Sequence, residues 1–125
     1  LHVHSGDIPV EVDTAAFEEA LSNLIDNAIK YSESEISLEI TTGVKDNFGY
    51  CSVKDMGRGI SKNEQQRIFD KFYRVEGAMT QKTKGTGLGL SLVKHIMTAH
   101  QGKVEVDSSP GKGSMFTLLF PLLNS

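Results

Sequence analysis

One apolar helical face restricts this chain more than any other feature. Between residues 15 and 31, Phe17, Ala20, Leu21, Leu24, Ile25, Ala28 and Ile29 recur at three- and four-residue spacings. That pattern predicts an amphipathic helix whose broad stripe must be covered by something else. The rest of the chain offers strands to cover it. Residues 35–42 alternate with period two, residues 49–54 read as a second strand, and Asp46-Asn47-Phe48-Gly49 supplies turn chemistry between them, so an antiparallel hairpin is expected. A second strand pair, 103–107 and 114–120, meets around Ser109-Pro110-Gly111-Lys112-Gly113. A short strand is expected at 8–12, with Asp13 or Thr14 capping the first helix. A short helix is expected near 61–69, and a third helix opens within 85–89 and runs to about residue 99. Helices interleaved with strand pairs imply an α+β two-layer sandwich, with the helices on one face of the sheet. A length of 125 residues suits one domain. Residues 1–7 read as a tether, no apolar run reaches the length of a membrane span, and the lone Cys51 excludes an internal disulfide.

The net charge of −3 hides a strong asymmetry. Residues 1–57 carry −8, residues 58–84 carry +4 and residues 85–125 carry +1. Five of the 12 glycines stand at 57, 59, 85, 87 and 89, bracketing the basic stretch. Polar exceptions on the first helix add to this. Asn23, Asn27 and Lys30 form one stripe along the edge of the apolar face, with Tyr31 a step nearer to it. Asn disfavours helix interiors, because its side chain competes for backbone hydrogen bonds. An Asn carbonyl can ligate a hard cation and a Lys can neutralise phosphate oxygens, although a solvated helix edge would show the same stripe. Asp55-Met56-Gly57-Arg58-Gly59-Ile60 ends a strand. Glycine there permits positive φ or close approach of a ligand to the backbone, and the carboxylate can accept from an exocyclic amine. Gly85-Thr86-Gly87-Leu88-Gly89-Leu90 opens a helix, where unpaired N–H groups and the helix dipole suit a phosphate chain. It is neither the dinucleotide fingerprint nor a P-loop. Between the two glycine clusters, Phe69 and Phe72 can anchor a helix end in the core, leaving Lys71 and Arg74 to reach phosphates.

Together these elements resemble the ATP-binding catalytic domain of sensor histidine kinases, in the gyrase/Hsp90/histidine-kinase/MutL ATPase superfamily. The resemblance spans about residues 8–121. Asn23-Leu-Ile-Asp-Asn-Ala-Ile-Lys-Tyr31 is similar to the N box, Asp55-x-Gly-x-Gly59 to the first glycine box, Phe69-x-x-Phe-x-Arg74 to the F box and Gly85-Thr-Gly-Leu-Gly-Leu90 to the second glycine box. Met56 stands where Asn or Thr is common, and Gln101 where Gly is frequent before Gly102. The resemblance implies the Bergerat fold, three main helices on a mixed, mostly antiparallel sheet. ATP and Mg²⁺ are the implied cofactors, with a lid over the nucleotide at about 75–86. In that scheme Asn27 ligates Mg²⁺, Asn23 and Lys30 contact phosphates and Tyr31 flanks the nucleotide. Asp55 accepts from the adenine amine, Arg74 approaches the terminal phosphate, and Gly87, Leu88 and Gly89 cover the phosphate chain. Gly57, Gly59, Ile60, Lys71, Phe72, Gly85 and Thr86 complete the expected nucleotide-binding set. The +4 segment then corresponds to the F box and lid.

Water-using ATPases of the superfamily place a Glu base where this chain has Asn23, and an amide cannot take a proton from water. Transfer of the γ-phosphoryl group to another nucleophile is therefore expected, by positioning and charge neutralisation from Mg²⁺, Lys30 and Arg74. The family's phosphoacceptor His is usually followed by an acid, whereas His2, His4, His95 and His100 precede Val, Ser, Ile and Gln. The chain thus reads as a fragment, with the dimerisation and phosphoacceptor hairpin upstream as its partner and a response regulator receiver domain as the next in line. The parent protein is expected to be membrane-anchored, with this domain cytoplasmic and monomeric in isolation. No nucleic-acid or direct membrane contact is expected. Three other readings stay open on sequence: a serine-phosphorylating anti-sigma regulator, a DNA- or chaperone-type ATPase module, and a non-catalytic nucleotide sensor.

Overall fold

In the computed structural model, α1 (Thr14–Lys30) forms where the periodicity predicts it. Asp13 is its cap. Asp13 Oδ1 accepts the N–H of Ala15 at 3.0 Å and of Ala16 at 3.4 Å, and its carbonyl accepts from Phe17 at 2.9 Å, satisfying donors that a helix start leaves unpaired. The structure describes residues 2–4, 10–30, 37–70 and 89–122, the first of these as backbone alone.

The strands are β1 (His2–His4), β2 (Leu38–Lys45), β3 (Phe48–Asp55), β4 (Lys103–Ser108) and β5 (Ser114–Pro121), in the sheet order β1-β2-β3-β5-β4. Only β1 and β2 run parallel, so the sheet is mixed and mostly antiparallel, as expected. β1 corrects the reading of the first residues as a tether. Three residues are too few to show an alternation, and their partners Glu39 to Thr41 lie far along the chain. The strand expected at 8–12 is reduced, among the described residues, to an isolated bridge between Val10 and Leu122. The first hairpin loop is two residues shorter than expected. Lys45 pairs with Phe48, leaving Asp46-Asn47 as the loop, and Asp46 takes φ +56°, a conformation that Asp tolerates better than most residues.

Helices α1 and α3 (Gly89–Ala99) lie on one face of the sheet. Ala20, Leu24 and Ala28 of α1 and Val93, Ile96 and Met97 of α3 meet Leu38, Ile40, Cys51, Val53, Phe116, Leu118 and Phe120 in one core. Leu118 and Met97 are fully buried. Ile29, expected on the apolar face, is 39 % exposed, because it sits at the rim of a stripe whose centre runs through Leu24 and Ala28. Burial pushes the Cys51 thiol up to about 11, so it packs as a small apolar group.

The short helix is shorter than its periodicity predicts. α2 covers Lys62–Gln65, capped by Ser61 Oγ, which accepts the Glu64 N–H at 3.3 Å. Arg67 and Ile68 both donate to the Glu64 carbonyl, so the chain leaves the helix in a tightened turn. That turn carries Ile68 into the core and sets Phe69 edge-on to Phe116, ring centres 6.2 Å apart. Among the described residues no helix is long and apolar enough to cross a membrane.

The end of α3 explains the departure at Gln101. Gly102 donates to the Met97 carbonyl at 2.8 Å and Gln101 to the Thr98 carbonyl at 3.1 Å, the paired bonds of a Schellman motif. Its pivot, Gln101, has φ +60°, where glycine is the favoured residue. His100 anchors the same corner, since its Nδ1 lies 2.8 Å from the Ile96 carbonyl and its Nε2 accepts the Asp13 N–H at 3.1 Å. Replacing Gln101 by Gly relieves a left-handed side chain worth about 1–2 kcal/mol and costs part of that in unfolded-chain entropy. We expect Gln101→Gly to stabilise the chain by up to about 1 kcal/mol in urea unfolding; a destabilisation would refute the strain account.

Candidate functional site

The site begins where β3 runs out. Asp55 is the last residue of β3 and pairs with Ser114, the first of β5. The residue is 4 % exposed. Burial raises the Asp55 carboxyl above its ordinary range, opposed by hydrogen bonds from the backbone N–H groups of Gly57 and Ser114. The bond from Gly57 to Oδ1 measures 2.8 Å. A carboxylate supported by backbone donors inside the protein is costly to charge and well placed to accept from a ligand's N–H.

The 55–60 loop packs against the turn between β4 and β5. Gly59 adopts φ +76°, and a Cβ there would collide with the Ser109 carbonyl oxygen. Of the two roles expected for glycine there, positive φ is the one this backbone uses, and the protein's own turn accounts for it. Gly113 mirrors it, with φ +80° and a Cβ that would strike the Asp55 carbonyl. The loop and turn are joined by Gly111 N–H to Arg58 C=O at 2.7 Å and by Ile60 N–H to Ser108 Oγ at 2.8 Å. Gly57 and Ile60 are buried in the same wall. The sequence reading missed Ser108, Gln65 and Ser114, because nothing in their local pattern announces a meeting with the 55–60 loop. Strand register brings Ser108 and Ser114 there, and α2 brings Gln65.

The second half of the site lies between α1 and α3. Asn23, Asn27 and Lys30 are half-buried along the rim of α1. Gly89 opens α3, and a Cβ placed on it would stand 4.0 Å from Asn23 Oδ1. The first polar residue of the stripe thereby lies near the last glycine of the second cluster, at the end of a helix where unpaired N–H groups attract anions. Lys30, in the last turn of α1, also faces the negative end of that helix dipole. Tyr31, Lys71, Phe72, Arg74, Gly85, Thr86, Gly87 and Leu88, with the lid at 75–86, lie outside the described residues. Of the two aromatic anchors, Phe69 takes the core role expected of it.

Because folding raises the Asp55 pKa, the native chain holds this proton more firmly than the unfolded one. The resulting stability is present in full below the ordinary Asp value near 3.9 and is lost as pH rises through the raised value. Asp55→Asn removes that slope. Urea unfolding from about pH 4 to about pH 7 should show the wild type losing stability relative to Asp55→Asn. Parallel pH profiles for the two proteins would refute the burial account.

Residues 12–124 match the family described as histidine kinase-, DNA gyrase B-, and HSP90-like ATPase. The sensor histidine kinase WalK of Bacillus subtilis is 41 % identical over 117 residues, which are 92 % of this chain and 19 % of WalK. The sensor-like histidine kinase SenX3 of Mycolicibacterium smegmatis is 42 % identical over 102 residues, 82 % of this chain and 27 % of SenX3. The matched residues therefore span from about a fifth to just over a quarter of these relatives. Among solved structures, the mycobacterial sensor histidine kinase MprB superposes with a TM-score of 0.81 at 26 % identity, covering 97 % of this chain and 83 % of that one. Full-length ShkA in complex with AMPPNP superposes at 0.82 with 28 % identity, covering 99 % and 25 %. With the fold, the buried Asp55 and the Asn23–Gly89 junction in place, the chain belongs to the histidine kinase-, DNA gyrase B- and HSP90-like ATPase family, as an ATP-binding catalytic domain of the histidine-kinase kind.

Proposed function

We propose that this chain binds Mg-ATP and transfers the γ-phosphoryl group to a histidine on a separate dimerisation domain of the same sensor kinase, which then feeds a response regulator. The observation that carries this reading is the junction of Asn23 with Gly89. An amide, not a carboxylate, stands beside the opening turn of α3. It can orient a phosphate or accept from a donor, but it cannot deprotonate water. The junction therefore serves transfer to a nucleophile brought from elsewhere rather than hydrolysis.

Within this scheme each residue has a limited task. Asp55 accepts from the adenine amine, Lys30 neutralises phosphate oxygens and Asn23 orients the phosphate chain, while Lys71 and Arg74 bring cationic charge towards it. Among the described residues no three His, Cys, Asp or Glu side chains converge on a common point. The half-buried Asn27 amide offers one hard oxygen, which fits an ion that keeps phosphate and water as its other ligands. When bound, Mg²⁺ offsets charge on the phosphate oxygens. Positioning and charge neutralisation then make up most of the catalysis.

The acceptor lies outside these residues in this reading. His100 already has both ring nitrogens engaged, by Ile96 and Asp13. His95 is exposed on α3 and, like the other three, lacks a following acid. Incubated with γ-labelled ATP, the chain alone should remain unlabelled and should transfer label only when a cognate hairpin domain is added. Label on the isolated chain would refute this division of labour. Asp55→Asn should weaken ATP binding by about ten-fold or more, as expected for loss of a charged hydrogen-bond acceptor. Asn27→Ala should bind ATP with little response to Mg²⁺; a preserved response would remove Asn27 from the metal's ligands.

A further inference from the structure

The 55–60 loop carries the carboxylate assigned to the adenine, yet β3 holds only its first residue. Beyond Asp55 the loop depends on the turn that follows β4, and Ser108 is the centre of that hold. A serine hydroxyl has one proton to give and two lone pairs. Ser108 Oγ uses all three, accepting the Ile60 N–H at 2.8 Å, donating to the Gly113 carbonyl at 2.9 Å and lying 2.7 Å from Ser114 Oγ, which is left as the donor. Gln65 Nε2 adds a second tether, donating to the Ile60 carbonyl at 2.7 Å and to the Ser108 carbonyl at 3.0 Å. Both polar groups of Ile60's backbone are therefore tied to Ser108, one directly and one through Gln65.

The β4–β5 ladder already pairs Ser108 with Ser114 through the backbone. The Ser108 hydroxyl reaches beyond that ladder into the loop that begins at the base-reading carboxylate. We propose that Ser108, with Gln65 as its second tether, is a positioning residue for nucleotide recognition. It holds the 55–60 loop so that Asp55 meets the exocyclic amine, and so sets how sharply the chain separates an amino-purine nucleotide from one without the amine. The inference rests on the assignment of Asp55 to the adenine amine.

The test compares the affinities of the chain for ATP and for purine riboside triphosphate, which has the same triphosphate and no amine. Wild type should prefer ATP, and Asp55→Asn should lose that preference. Ser108→Ala should lose about five-fold of it, the equivalent of one ordinary hydrogen bond, mainly through weaker ATP binding. Ser108→Thr, which keeps the hydroxyl, should retain it. Gln65→Leu should shift the ratio in the same direction as Ser108→Ala, and decides the matter alone if the alanine variant does not fold. A merely structural serine would lower the melting temperature and leave the ratio unchanged. If wild type and Asp55→Asn discriminate equally, the adenine assignment fails and takes this inference with it. If they differ while Ser108→Ala and Gln65→Leu both keep the full ratio, the positioning role is overturned and the adenine assignment stands.

Discussion

The pairing of β3 with β5 is the constraint on which the rest depends. It runs unbroken from Phe48 opposite Pro121 to Asp55 opposite Ser114, and these two strands occupy the interior of the sheet. Their inner faces supply Cys51, Val53, Phe116, Leu118 and Phe120 to the core that α1 and α3 cover. A one-residue slip of either strand would turn its buried side chains to the wrong face, so burial locks the register. The same register fixes where the site begins. It ends β3 beside the start of β5, which places the 109–113 turn against the 55–60 loop and leaves no room for a side chain at Gly59 or Gly113.

The site uses groups that a core chosen for stability alone would avoid. Burial of Asp55 raises its pKa by desolvation, and the backbone N–H groups of Gly57 and Ser114 oppose the shift. Asn23 and Asn27 occupy helix-interior positions that their side chains disfavour. Each departure sits in the half of the molecule that faces the proposed nucleotide. The opposite corner, where Asp13 caps α1 and His100 ties it to the end of α3, follows the ordinary rules of capping and hydrogen-bond satisfaction except at the left-handed Gln101. Gln101 apart, these disagreements with the stabilising choice lie where binding is proposed.

Much of the fold was legible because its main elements are long and strongly patterned. Across the 17 residues of α1 several apolar turns agree, and both hairpins announce themselves by alternation around turn residues. The failures have particular causes. β1 is three residues long and pairs across a gap of more than thirty residues, so no local signal marks it. α2 stops at Gln65 as Arg67 and Ile68 both turn back to the Glu64 carbonyl and Ile68 is drawn into the core. Ile29 shows that a helical wheel gives the direction of a face but not its width, since the area that the sheet covers decides which rim residues stay wet.

The candidate site divides in the same way. Sequence alone determined the chemistry on offer: an Asp ahead of a glycine pair, two Asn and a Lys in helical register, and a glycine cluster opening a helix. Those follow from residue type and short-range spacing, which the covalent chain carries by itself. Only the tertiary structure decided that Asp55 is buried, that Asn23 lies near Gly89, and that Gly59 packs against Ser109. It also decided that Ser108 and Gln65 hold the loop. Burial and contact between residues tens of positions apart arise when sheet register and helix packing are satisfied together, and no local pattern contains them.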